Sequence, residues 1–216
     1  TYSYTLRVVA LGGAILGTVS GVLGCFAVLR RESLMGDALS HAALPGVAIA
    51  FLFVGRDLSS LLIGAGIASW LGVQFIHAIL STTRIKQDTA MGITLAAWFA
   101  AGIALLAYIQ ARSDASQAGL DSFIFGQAAA IVASDVQLIS IVGAIAFVIL
   151  ALFWKEFKLI TFDAEFAGAN GFRVGFINVM LSTLIVVAIV LGLQLAGVIL
   201  MVGMLIAPGI AARQWT

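Results

Sequence analysis

Apolar residues in this chain come in blocks of about twenty, and that block length decides what it can fold into. A helix needs roughly 20 apolar residues to cross the ~30 Å hydrocarbon core of a bilayer. Seven such segments can be marked, at roughly 8–29, 34–54, 59–80, 89–110, 136–154, 174–193 and 195–212. Little is left over for a water-facing surface. Of the 216 residues, 62% are hydrophobic and 10% are charged, whereas a soluble domain is about 25% charged. The expected fold is therefore all-α: a polytopic transmembrane helical bundle of about seven spans, read as one domain over residues 1–216. The last two segments are separated only by the Gly192-Leu193-Gln194 region, which predicts a tight turn or a broken helix buried in protein.

Charges in the connections set the expected orientation, because Lys and Arg accumulate on the cytoplasmic side. With the 155–173 connection inside, alternation also places Arg30, Arg31, Arg84, Lys86, Lys155, Lys158, Arg173 and Arg213 inside. Arg7, Arg56 and Arg112 then fall outside. The bias favours an external N-terminus. Residues 111–134 contain an apolar run too short to span, expected to be re-entrant or interfacial. In 155–173, Phe162 and Phe166 alternate with Asp163 and Glu165, which predicts a short amphipathic helix on the cytoplasmic surface. Gly13, Gly17 and Gly21 form a small-residue ridge that would let another helix approach closely. A net charge of +1 makes no electrostatic case for nucleic acid, and the single Cys25 supports neither a disulfide framework nor a thiolate cluster. The first residue is not Met, so the chain is expected to be a portion of a longer product.

Within LMGDALSHAALPGVAIAFLFV the only ionisable groups are Asp37 and His41. Four residues apart, they share one helix face. An ionisable group at membrane depth costs about 2.5–3.5 kcal/mol on insertion scales. His41 lies about 15 Å along the helix from Arg31, near the bilayer centre. Pro45 has no N–H, so the His41 carbonyl loses its usual helical donor. One hard oxygen and one imidazole nitrogen beside a bare carbonyl would suit a divalent cation in transit. The plainer reading is a neutralising pair that locks two helices together. Two ligands do not complete a coordination sphere. The rest would come from a second copy, from water, or from Asn178, Ser182, Gln194 and Met204 in the last two segments. His77 is read as a packing residue near the end of the third span.

The sequence has no GxxxxGK[ST] phosphate loop, no HExxH and no GxSxG, so ATP binding by that loop, zinc hydrolysis and a nucleophile elbow are all without support. An intramembrane metalloenzyme would need three ligands and an open position, which two distant histidines do not supply. An ion-coupled secondary transporter or channel working without an ATPase is the main alternative to an ATP-driven permease, although no clear internal repeat is visible.

Three stretches carry a resemblance. LRRESLMGDALSHAALPGVAIAFL resembles the signature of the ABC-type zinc, manganese and iron permease family. KLITFDAEFAGANGF is similar to that family's cytoplasmic coupling segment, and GVILMVGMLIAPGIAARQWT to its late-span motif. The resemblance covers almost the whole chain, in order. It implies a homodimeric membrane domain of the bacterial cell (inner) membrane with no tightly bound cofactor. The transported ion would be manganese, zinc or iron. Its partners would be a cytoplasmic ABC ATPase, an extracytoplasmic metal-binding protein, a second copy of the chain and the lipid bilayer. The family's intramembrane metal site falls on Asp37 and His41, and the coupling segment on Asp163, Glu165, Phe166 and Gly168. Family members usually carry a further C-terminal span. The absence of cysteine from any plausible site tilts the metal toward manganese.

Overall fold

The computed structural model describes residues 2–55, 57–111 and 133–215. The expected re-entrant piece at 111–134 therefore lies almost wholly outside the described residues. Eight helices occur among them, here α1 (Tyr2–Leu29), α2 (Met35–Val54), α3 (Leu58–Thr82), α4 (Gln87–Ala111), α5 (Ala133–Leu152), α6 (Trp154–Phe162), α7 (Ala164–Ala169) and α8 (Val174–Arg213). Each of the seven apolar segments is helical over nearly its whole length. Stretches of α1, α2, α3, α4 and α8 are long and apolar enough to cross a membrane. Val136–Leu152 and Trp154–Phe162, bent by 65° at their junction, add a sixth if the pair is one span, and Leu200–Arg213 is a shorter apolar helix.

Two details differ from the sequence reading. The break near the end falls at Gly197, not at 192–194. Gly197 takes φ 74 and ψ 174, a conformation open in practice only to glycine. Gly192 stays helical, its bare backbone covered by the Met201 side chain. The 155–173 connection is not one amphipathic helix but two, α6 and α7, divided at Asp163, which leaves helical geometry with φ −151 and ψ 90.

The helices group into two compact units. One comprises Leu34–Gln127 and Ile189–Val202. In it α2 packs against both α3 and α4. The α2–α3 crossing runs through Gly46 and Gly64. A methyl group on either would collide with the other's backbone, the carbon and oxygen of Gly64 or the carbonyl oxygen of Gly46. The Ser69 hydroxyl donates to the Leu39 carbonyl across that crossing (2.9 Å), and Trp98 Nε1 on α4 donates to Ala68 on α3 (3.2 Å). Asp57 caps α3, accepting from the Ser60 hydroxyl and N–H. Those two bonds hold its carboxyl below the ordinary carboxylate range. A depressed pKa means that the cap contributes above the unfolded value and is lost as pH falls through the folded one.

The other unit comprises Thr1–Ser33, Ala128–Ala188 and Gly203–Thr216. Here α1 meets α5 at Gly143, which faces Ile15 and Val19. It meets the end of α8 at Gly24, where an added Cβ would strike the Leu205 carbonyl. The Gly13/Gly17/Gly21 ridge is thus only partly the contact surface. Gly13 faces open space, and Gly17 and Gly21 make ordinary contact with Met204 and Pro208. The closest approach belongs to Gly24, one further turn along. Phe26 stacks edge-on against Trp154 and Phe157 of α6, with ring centroids 5.3 and 6.1 Å away.

Helix α1 ends in a left-handed cap. The Arg31 N–H donates to Val28 (3.1 Å) and the Glu32 N–H to Ala27 (2.8 Å), with Arg31 at φ 61. Glycine normally fills that position, and a side chain there costs about 1–2 kcal/mol.

The glycine contacts give a direct test. Gly46→Leu destabilises the folded protein by about 2 kcal/mol or more, seen as a lower melting temperature in detergent. Gly66→Leu, at a position where nothing lies within 4 Å, leaves melting unchanged within error. Equal melting of the two variants contradicts the close crossing.

Candidate metal site

Helix α2 begins without a side-chain cap at Leu34, and Asp37 lies in its first turn, where a carboxylate complements the positive end of the helix dipole. Around the pair, Ala38, Leu39, Ser40, Ala42, Ala43, Pro45 and Gly46 are all buried. Asp37 and His41 occupy the stripe that is not. Their side chains are 40% and 28% exposed in the single chain.

The geometry within the pair is loose. His41 Nε2 stands 3.4 Å from Asp37 Oδ1, longer than a charge-assisted hydrogen bond of about 2.7–2.9 Å. Phe99 of α4 presses its ring edge-on against the imidazole, centroids 4.9 Å apart at 77°. The imidazole is therefore steadied by an aromatic neighbour, and Asp37 does not hold it tightly. Helix α2 continues through Pro45, leaving the His41 carbonyl without its usual donor. A carboxylate oxygen, a ring nitrogen and that carbonyl thus lie within one turn of helix. Among the described residues no group of three His, Cys, Asp or Glu side chains is placed to hold a metal.

The auxiliary candidates sort clearly. Ser40 is buried and donates to the Gly36 carbonyl (2.7 Å). Asn178 accepts from Arg30 Nη1 at 3.0 Å, so its oxygen is engaged. Met204 packs over Gly17, and Ser182 is buried in α8. Gln194 differs, because its buried Oε1 has no hydrogen-bond partner.

At the other candidate locus, Asp163 Oδ1 accepts from the Phe166 N–H (2.8 Å) and caps α7. Ala167 is fully buried and pins this six-residue helix down, while Glu165 and Phe166 point outward. Gly171 at φ 83 ends it. The Phe172 N–H reaches Ala167 and the Gly171 N–H reaches Gly168, both at 3.1 Å. Phe162, Phe166 and Phe172 are 70%, 56% and 41% exposed.

Sequence reasoning missed Phe99, because nothing in a linear pattern ties it to a histidine 58 residues earlier. It also missed the partners of Arg30, although the charged RRE run that opens the α1–α2 connection was a visible signal.

Comparison with known proteins agrees with this architecture. The family profile described as ABC 3 transport family matches residues 2–216. The manganese transport system membrane protein MntC of Bacillus subtilis is 51% identical over 209 residues, 96% of this chain and 48% of that protein. The zinc transport system membrane protein TroC of Treponema pallidum is 48% identical over 214 residues, 99% of this chain and 72% of that one. The chain thus spans about half the length of the Bacillus relative. Among solved structures, PsaBC from Streptococcus pneumoniae in complex with a Fab matches with a TM-score of 0.80 and 36% identity, over 97% of this chain and 72% of that one. With apolar helices of spanning length and a family match along its whole described extent, this chain is a multi-pass protein of the bacterial inner membrane and belongs to the ABC 3 transport family.

Proposed function

We propose that this chain is the membrane-spanning permease of an ATP-binding-cassette importer for a divalent transition-metal ion, with Asp37 and His41 as protein ligands to the ion in transit. One observation carries the reading. The only ionisable pair of an apolar helix lies on a partly open stripe, at a spacing too long for the two groups to satisfy each other. A carboxylate left against acyl chains is costly, so this stripe faces either water or a second protein surface. Relatives named for manganese and zinc transport support the choice of cargo.

The cation descends from the extracytoplasmic side, delivered by a metal-binding protein. It exchanges hydration water for Asp37 Oδ1, an imidazole nitrogen of His41 and the carbonyl freed by Pro45. A second copy contributes the same groups and completes the sphere. Asp37 supplies charge and hard oxygen. His41 supplies nitrogen and so a preference for transition metals over Mg²⁺ and Ca²⁺. Manganese is favoured over zinc and iron, because oxygen-rich sites without thiolate suit it.

Energy comes from a separate ATPase chain. It docks on residues 155–173, where Asp163 fixes the start of α7, Glu165 and Phe166 project, and Gly168 completes the helix's last turn. Nucleotide-driven movement of this segment exchanges external for internal access. Residues 1–216 work as one permease domain, with 155–173 as its coupling element.

Asp37→Ala and His41→Ala each abolish metal uptake into proteoliposomes while the complex still assembles on gel filtration. Normal uptake by either rules out the site. Phe99→Ala raises the half-saturating metal concentration about fivefold, the equivalent of ~1 kcal/mol for a lost aromatic contact. Glu165→Lys leaves basal ATP hydrolysis in place but removes its stimulation by metal; retained stimulation counts against the docking role. Testing Mn²⁺, Zn²⁺ and Fe²⁺ in turn for stimulation of the ATPase ranks the cargo. Transport by the permease without any ATPase would favour the ion-coupled alternative.

A further inference from the structure

The turn that joins α1 to α2 contains more chemistry than ending a helix requires. Its hydrogen-bond pattern matches that at the end of α7. There the left-handed position is Gly171 and the next residue is Phe172, the usual pairing of glycine with an apolar residue. At the end of α1 the same two positions are Arg31, at φ 61, and Glu32. Glycine and an apolar residue would close that turn with less strain. The charges therefore answer to something other than termination.

Glu32 is only 4% exposed. Its Oε1 lies 3.1 Å from Arg30 Nε and 3.0 Å from Arg30 Nη2, with the Arg30 side chain 14% exposed. The remaining arm, Nη1, donates to Asn178 Oδ1 at 3.0 Å, 148 residues along the chain. A buried ion pair contributes little net stability, and its best-attested use is to fix one arrangement out of several. The position of this pair indicates which arrangement. Glu32 is five residues before Asp37, and Ser33 alone separates the turn from the unit containing α2. Asn178 lies five residues after Arg173, in the second turn of the helix that follows the 155–173 segment. One guanidinium thus ties the entry to the metal-bearing helix to the helix next to the ATPase-facing segment.

We infer that Arg30, Glu32 and Asn178 form a positioning cluster, through which displacement of the 164–173 segment is passed to the start of α2. The inference rests on the permease reading above. Any movement of the first turns of α8 relative to the end of α1 must stretch the Arg30–Asn178 bond or carry Arg30 with it. Arg30 in turn holds Glu32, and Glu32 is part of the chain that leads into α2. Asn178 is then neither a metal ligand nor a passive interhelical contact.

The test uses the complete transporter, permease with its ATPase and binding protein, in proteoliposomes supplied with Mn²⁺. It reads ATP hydrolysed per Mn²⁺ taken up. Asn178→Ala removes the acceptor and leaves the Arg30–Glu32 pair intact. The expected result is at least a threefold rise in ATP per ion with the half-saturating Mn²⁺ concentration unchanged. Asn178→Asp keeps an oxygen acceptor in place, and its ratio stays near wild type. If Asn178→Ala does not assemble, Asn178→Leu makes the same test by keeping the side-chain bulk and losing the acceptor. A wild-type ratio in whichever variant assembles overturns the inference and leaves the cluster as a helix terminator. A wild-type complex whose hydrolysis is stimulated by none of Mn²⁺, Zn²⁺ and Fe²⁺ instead removes the permease reading, and this inference with it.

Discussion

A carboxylate and an imidazole inside an apolar helix set the main constraint on this molecule. Neither can be left against hydrocarbon without a large solvation cost, and neither satisfies the other at 3.4 Å. The rest of α2 is arranged around them. Small residues let α3 and α4 close over the other faces, with Gly46 and Gly64 in backbone contact and Ser69 bonding to Leu39. The stripe carrying Asp37 and His41 is left partly open. Burial of the apolar faces and accessibility of the polar one are two results of the same packing.

Close glycine contacts recur because a membrane offers no hydrophobic drive for helices to associate. Dispersion between well-fitted surfaces has to supply it. Gly24 against Leu205 and Gly46 against Gly64 bring backbones together in the two units separately. The terminators follow a different logic. Gly171 ends α7 without strain, whereas Arg31 accepts a left-handed backbone and delivers Glu32 into a buried pairing with Arg30. Placing a strained residue and a buried carboxylate paired with a part-buried guanidinium in a connection where simpler residues would serve marks the α1–α2 junction as more than a turn.

Much of the fold was legible in advance. The positions of the apolar helices follow from apolar run length, because a bilayer forces each run to satisfy its own backbone hydrogen bonds. Less was legible at the breaks. Gly192 and Gly197 are both glycines in an apolar run, and nothing linear distinguishes them. Only the Met201 side chain lying over Gly192, and the left-handed φ of Gly197, decide which one ends the helix. The glycine ridge of α1 was read with the right spacing but one turn away from the tightest contact.

The sequence by itself determined that this chain lives in a membrane, that helices form, and that Asp37 and His41 share a face. All three depend on local composition and on the 3.6-residue period, which act within a few turns of chain. Tertiary structure alone decided that Phe99 would brace His41, that Asn178 would accept from Arg30, and that the Asp37 face would stay partly open. Those outcomes join residues far apart in sequence. They are fixed by which helix faces meet, and that choice belongs to the packing of the whole unit and not to any one segment.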